Sequence, residues 1–241
     1  MDEWPNLSKA PIVEGLIDIR VAVMPPAALD TLKACCDGLA AEFPAREDLR
    51  QITGQLTLSP AGTSFQQADA PQGFLLRSAD RKWAAQYRLD GFTISRLDPY
   101  TSWDELRRCA VKLWSDYLDA AKPTKIVRLA TRFINRIPLP LDVPFDTVFT
   151  TTFQISSSLP QSVAGYLLRI VVPFEQEAAM ATITQALEVN KQACVFDLDV
   201  FSEDQEGIPA DAIWNRLDIL RGIKNRLFFE SLTPSALEQF K

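Results

Sequence analysis

Hydrophobic and polar residues alternate along residues 11–23: Val13, Ile17, Ile19, Val21 and Val23 share one parity, and Glu14, Asp18 and Arg20 share the other. A period of two marks a strand with one buried face. Pro25 and Pro26 break it. Leu29, Leu32, Cys36, Leu39, Ala40 and Phe43 then recur at helical spacing, which predicts an amphipathic helix over 27–43 ended by Pro44. Extended patterns return at 49–58, at 73–78 and 83–89 around a turn at 79–82, and at 92–97 after the turn dipeptide Asp90-Gly91. Ser102 and Glu105 stand at capping-box spacing. Trp103, Leu106, Ala110, Leu113, Tyr117 and Leu118 line one face of the helix they open, and Pro123 stops it.

The second half repeats the plan. Residues 125–137 alternate as a strand that Pro138 and Pro140 break, and 144–152 reads as a short helix or a loop. Extended segments are expected at 152–157, 163–174, 178–187 and 192–201. A last helix over 209–230 carries Ile213, Leu217, Leu220, Ile223 and Leu227 on one side. Pro11-Ile12-Val13 lies over Lys125-Ile126-Val127 at an offset of 114, and Trp103 over Trp214 at an offset of 111. The expected fold class is therefore α+β. Two β-α-β(4)-α repeats, residues 1–122 and 123–241, form one antiparallel sheet with helices on one face, as a single compact unit. This element order resembles the TATA-box-binding-protein-like duplicated folds, a likeness of architecture that carries no implication of DNA binding. Coincidence between two ordinary α+β halves is the alternative.

Overlaying the halves matches Glu14 with Arg128 and Asp18 with Arg132, all on the parity opposite the apolar positions. They are expected on the sheet face that helices leave open, where opposite charges on neighbouring strands help to fix register. Arg128, Arg132 and Arg136 form a stripe on that parity, suited either to phosphates or a partner's carboxylates, or to pairing with internal acids. With Tyr100 added, these six residues are the candidate partner- or ligand-binding set.

Composition narrows the chemistry. The chain has 241 residues, 47% hydrophobic and 23% charged, enough apolar material for a core. The net charge of −6 divides evenly: Lys and Arg stand to Asp and Glu as 14 to 17 in residues 1–122 and as 11 to 14 in residues 123–241. A nucleic-acid partner is disfavoured, because phosphate neutralisation demands a positive surface. The apolar run from Ile12 to Pro26 is interrupted by Glu14, Asp18 and Arg20, so no membrane association is expected. The start, Met1-Asp2-Glu3-Trp4-Pro5, lacks the basic and apolar regions of a secretory signal, and a cytoplasmic location is expected. Four cysteines without CxxC spacing and no histidine at all give no support for a metal site, and the thiols read as reduced and mostly buried.

Without histidine, Ser-His-Asp and Cys-His catalysis are excluded, and without a glycine-rich phosphate loop no nucleotide cofactor is expected. Asp197 and Asp199 share a parity and could hold a divalent ion or act as a carboxylate pair, but 31 acidic residues make such pairs common by chance. No catalytic residue, metal or cofactor is assigned.

The segments DGFTISRLDPYTSWDELRRCAVKLW, IVRLATRFINRI, CVFDLDVF and KNRLFFESLT, with LSKAPIVEGLIDIRV at the start, resemble a sporadically distributed bacterial family of about this length whose function is not established. The resemblance covers nearly the whole chain, most specifically from Asp90 to Ile137. It implies a single full-length unit, and its patchy distribution implies genes that travel in defence or mobile loci. The motif positions it marks are Pro99, Tyr100, Trp103, Trp114, Arg132, Asn135, Asp199, Phe228 and Thr233. Trp103, Trp114 and Phe228 have a packing explanation. Arg132 and Asn135 stand at opposite parities, so only one can face solvent, and Asp199 is a candidate buried partner for the inward one.

The expected function is a non-enzymatic protein-interaction subunit or adaptor, with a protein partner or a homodimer. The alternative is a small-molecule or nucleotide-binding sensor using the open sheet face, with Arg132 and Tyr100 near the ligand. A hydrolase built on Asp199 or Cys194 is a third reading.

Overall fold

The computed structural model describes residues 4, 5, 7–59, 62–139, 143–161, 163–188, 190 and 192–241; of residues 53, 55–59 and 62–68 it describes the backbone alone. The described residues form nine strands: β1 (Ile12–Val21), β2 (Ala45–Ser59), β3 (Gly62–Arg77), β4 (Trp83–Arg88), β5 (Gly91–Leu97), β6 (Ile126–Pro138), β7 (Leu167–Phe174), β8 (Ala179–Glu188) and β9 (Ala193–Glu203). They form one open sheet in the order β2-β3-β4-β5-β1-β6-β9-β8-β7, with every neighbouring pair antiparallel. Among the described residues four α-helices accompany it: α1 (Ala28–Gly38), α2 (Trp103–Ala121), α3 (Ile213–Ser231) and α4 (Pro234–Glu238). The protein is thus an α+β fold on a single sheet. Among the described residues no helix is long and apolar enough to cross a membrane.

One parity of each central strand is buried under helices. Ile17 and Ile19 of β1, Phe92 and Ile94 of β5, and Leu129 and Phe133 of β6 join one core cluster with Leu106, Leu113, Trp114 and Tyr117 of α2 and Leu217 and Leu220 of α3. A second cluster gathers Phe196 and Leu198 of β9 with Phe149, Phe228 and Leu232. Each such side chain contributes about 1.5–3 kcal/mol by leaving water, so the helical layer is what holds the sheet together. The opposite parity of β1 and β6 carries charge, and that of β5 carries Thr93 and Ser95.

The predicted cap of α2 holds, and the structure adds one at α4. Ser102 Oγ accepts from the Glu105 amide at 3.2 Å and opens α2. Thr233 caps α4 by accepting from the Ala236 amide at 3.2 Å, with Pro234 in the first turn, and its hydroxyl donates to the Thr147 carbonyl at 2.7 Å. Thr233 is therefore a joint between the last helix and the loop after β6.

β1 and β6 are neighbours, with Ile17 directly opposite Thr131, two positions that differ by the 114 residues of the sequence overlay. Outward from this seam the order runs β5-β4-β3-β2 on one side and β9-β8-β7 on the other. The second half departs from the expected element order. After β6 the described residues hold a single 3₁₀ turn, Phe145–Thr147, where the first half has α1, and residues 152–157 form no strand. Phe153 explains the second difference: its ring packs on Phe145 and Tyr166 at 4.9 and 4.8 Å, which anchors the segment by side chains and not by a ladder. β3 is far longer than the predicted 73–78, because residues 62–72 pair with β2 alone.

Candidate functional site: the uncovered sheet face

β4, β5, β1, β6 and β9 present their second parity on the face without helices. Leu16, Asp18, Arg20, Gln86, Arg88, Thr93, Arg128, Arg132 and Asp199 line a cleft there of roughly 500 Å³. At its floor lies Asp18, only 6% exposed. Its Oδ1 accepts from Thr93 Oγ1 at 2.6 Å and Arg88 Nη2 at 3.0 Å, and its Oδ2 from Arg20 Nε at 2.9 Å and Arg128 Nη1 at 3.1 Å. Burial alone would raise the Asp18 pKa. Arg20 and Arg88 beside it, with the Thr93 hydrogen bond, outweigh burial and hold the carboxyl below its usual range. The buried charge is tolerable because four donors surround it.

Arg88 donates Nε to Asp90 Oδ1 at 3.0 Å and Nη1 to Gln86 Oε1 at 2.6 Å and Thr93 Oγ1 at 2.9 Å, and Arg20 also pairs with Asp90. Arg128 turns its other nitrogens to Asp199 at 3.1 Å and Glu203 at 3.3 Å, and its guanidinium stacks over Phe201 at 4.5 Å. Arg132 grips Asp197 through Nε at 2.9 Å and Nη2 at 2.6 Å. Ion pairs thus run unbroken from Arg88 on β4 through Asp18 on β1 and Arg128 on β6 to Asp199 on β9, with Thr93 the uncharged link on β5 and Arg132–Asp197 a separate pair beside them.

Arg132 is the most open of the three cleft arginines that β1 and β6 supply, and its Nη1 is hydrogen-bonded to none of the described residues. Asp199 stands between Arg128 and Arg132; burial, with the neighbouring carboxylates of Asp197 and Asp18, raises its pKa despite the two guanidiniums. The cleft therefore holds one half-open cation beside a carboxyl whose pKa lies above its ordinary value.

Of the sequence-predicted set, the structure brings Asp18, Arg128 and Arg132 together. Glu14 lies near enough to Arg132 to favour its cation, after Asp197 and Asp199, without a direct bond. Arg136 faces Glu188 at 2.8 Å on a more exposed part of the same strand. Tyr100 is elsewhere. It packs edge-on against Phe133 at 5.5 Å on the helical side, in space that Gly15 leaves free: a Cβ on Gly15 would come within 2.8 Å of both rings. The pairing of Tyr100 with Arg132 at one ligand is corrected accordingly. Asp199 is not the partner of Asn135 either. Asn135 points to the helical side, where its amide donates to the carbonyls of Phe133 and Phe196 at 3.3 and 3.0 Å.

Arg20, Arg88, Asp90 and Thr93 escaped the sequence reading. Arg20, Arg88 and Thr93 come from three strands whose neighbours are set by topology, and Asp90 from the turn between β4 and β5, although Arg88 standing two residues before Asp90 was a usable signal. Among the described residues no group of three His, Cys, Asp or Glu is placed to hold a metal ion. Asp197 and Asp199 each have an arginine against them, which disfavours a shared cation. All four cysteines are free thiols. Burial pushes Cys36 and Cys194 up to about 12 and Cys109 to about 11, which leaves almost no thiolate at neutral pH. Compared with known proteins, the chain matches no family profile and no curated protein.

Proposed function

We propose that the chain is a non-enzymatic interaction subunit that docks a partner protein on its uncovered sheet face. The observation that carries this reading is that the arginines of that face are already neutralised by Asp18, Asp90, Asp197, Asp199 and Glu203, so the surface is shaped and charge-balanced and not poised for one anion. Such a surface loses little on being covered, whereas unpaired charges would pay a large desolvation cost. The resemblance to a patchily distributed bacterial family adds a setting in a defence or mobile-element system. Free thiols are consistent with the reducing cytoplasm.

A duplicated architecture of the TATA-box-binding-protein-like kind belongs to the same proposal. A twofold axis through the Ile17–Thr131 pair would exchange Asp18 with Arg132 and Arg128 with Glu14. The bonded pair Asp18–Arg128 then has Glu14–Arg132 as its twin, weakened in one copy because Asp197 captures Arg132.

Co-expression with the products of adjacent genes, followed by size-exclusion chromatography, tests the function. A co-migrating complex that Leu16→Arg and Arg132→Glu weaken is expected. Failure of every neighbour to co-migrate removes the adaptor reading. The open Nη1 of Arg132 beside Asp199 favours a second reading, a sensor for a small anion. It requires a thermal shift with inorganic phosphate or a nucleotide that disappears in Arg132→Ala.

A further inference from the structure

The two edges of the sheet are built differently. β2, at one end, carries Arg46, Glu47, Asp48 and Arg50 in its first six residues, and three of them are ion-paired. Charge of this kind protects an edge from pairing with other chains. β7, at the other end, reads LLRIVVPF with one charge, Arg169. Leu167 is 73% exposed and Val171 50%, and Arg169 makes no ion pair with any described residue.

The phase of the β7–β8 ladder determines which backbone groups are free. The Leu187 amide donates to the Tyr166 carbonyl at 3.1 Å, so Tyr166 and, at every second residue, Leu168, Ile170 and Val172 turn their backbone groups inward to β8. Leu167, Arg169 and Val171 turn theirs outward, where no described residue meets them. Pro173 occupies the next outward position. It has no N–H, so the row of donors stops there.

We propose that this edge accepts an extended segment of a partner protein as a tenth strand, with apolar residues opposite Leu167 and Val171 and a carboxylate opposite Arg169. The inference rests on the interaction-subunit reading and specifies the partner's chemistry at one place. Charge selects the occupant. A second copy of the chain, paired antiparallel in the register that uses all three outward residues, would set Arg169 directly against its twin, and like charges across a ladder repel. Sliding by two residues one way spends a hydrogen bond on Pro173, and sliding the other way leaves Val171 opposite Gly165. A foreign strand with Asp or Glu at its centre meets none of these obstacles, and strand addition of this type draws its affinity from main-chain hydrogen bonds.

The test uses the full chain and a blocked nine-residue peptide of alternating Val and Thr with Glu at the centre. Amide exchange by NMR should show new protection at Leu167, Arg169 and Val171, with no change at Leu168, Ile170 and Val172. A Lys-centred peptide should bind about three- to tenfold more weakly, and Arg169→Glu, an exposed change that leaves the fold intact, should reverse that preference. Val171→Pro should abolish the protection. Absence of binding, binding without protection at those three amides, or equal affinity for both peptides overturns the proposal. The same three amides protected in a concentrated peptide-free sample, with a dimer by light scattering, would make a second copy the occupant and overturn it too. A chain that binds the peptide but co-migrates with no neighbouring gene product keeps the edge and loses the adaptor reading; the converse result keeps the adaptor and loses the edge.

Discussion

Asp18 and Arg128 join the two halves of the chain: Arg128 Nη1 donates to Asp18 Oδ2 at 3.1 Å across the β1–β6 seam. Because Asp18 also neutralises Arg88 on its other side, it is the hinge on which the charge chain of the open face depends.

Removing it should therefore cost more than a surface ion pair. Asp18→Ala takes from the buried Arg88 one of its two carboxylates and leaves it Asp90 alone, and a loss of about 3–5 kcal/mol in urea unfolding is expected. Asp18→Ala combined with Arg128→Ala should lose less than the two separate changes together, since each single change already breaks the one bond the two share. Strictly additive losses would show that the pair does not act as a unit.

Acid should act through the same group. The folded Asp18 carboxyl titrates below its ordinary value of 3.8, so the folded state binds the proton less readily than the unfolded chain. The stability this contributes is complete above the ordinary carboxylate pKa and is lost as pH falls through the lowered folded value. Asp90, where burial is likewise outweighed by Arg88 and Arg20, acts in the same direction. The midpoint of urea unfolding should fall steeply below about pH 4 in the native chain, and less steeply in Asp18→Asn.

Lys224 gives the opposite test on the helical side. Its ammonium sits 4.0 Å over the Phe133 ring, without an ion pair among the described residues, and burial, helped by Arg221, lowers its pKa from 10.5 to about 7. The unfolded chain holds this proton more tightly, so stability should rise with pH between about 7 and 10.5 as the penalty for a buried cation disappears. Lys224→Met should stabilise the protein at neutral pH by a few kcal/mol, roughly 1.4 kcal/mol for each pH unit between the two values, and flatten that rise. A midpoint that stays the same or falls at pH 7 contradicts it.

Gly15 tests the Tyr100 placement. Gly15→Ala drives a methyl group to 2.8 Å from both Phe133 and Tyr100, and a loss of about 1–3 kcal/mol is expected. Gly15→Ala in a Tyr100→Ala background should cost clearly less, because half the obstruction has gone. An equal cost in both backgrounds would place Tyr100 elsewhere.

How much of this was legible in the sequence depended on the kind of signal. β6 and its arginines followed directly from alternation at 125–137, and α2 from the Ser102–Glu105 spacing. β3 did not, because Thr63, Ser64, Gln66 and Gln67 offer no apolar parity; its strand is set by the ladder to β2. Residues 152–157 misled in the other direction, since Phe153 and Ile155 alternate with polar neighbours yet Phe153 is spent on a ring cluster. At the site, the Asp18–Arg128 neighbourhood was within reach of the repeat. Arg88 and Thr93 were not, because only strand order brings β4 and β5 beside β1.

The long β2–β3 hairpin has a kinetic consequence. β3 meets β4 only from Gly73 to Arg77, so the ladder from Arg50 and Pro71 outward to Ser59 and Gly62 has no third strand beside it. A two-stranded ribbon is marginal in water without further support. Its backbone amides should exchange with solvent long before those of β1 and β6, and the ribbon should assemble only after the seam and the helices have closed, as an appendage that the finished body templates.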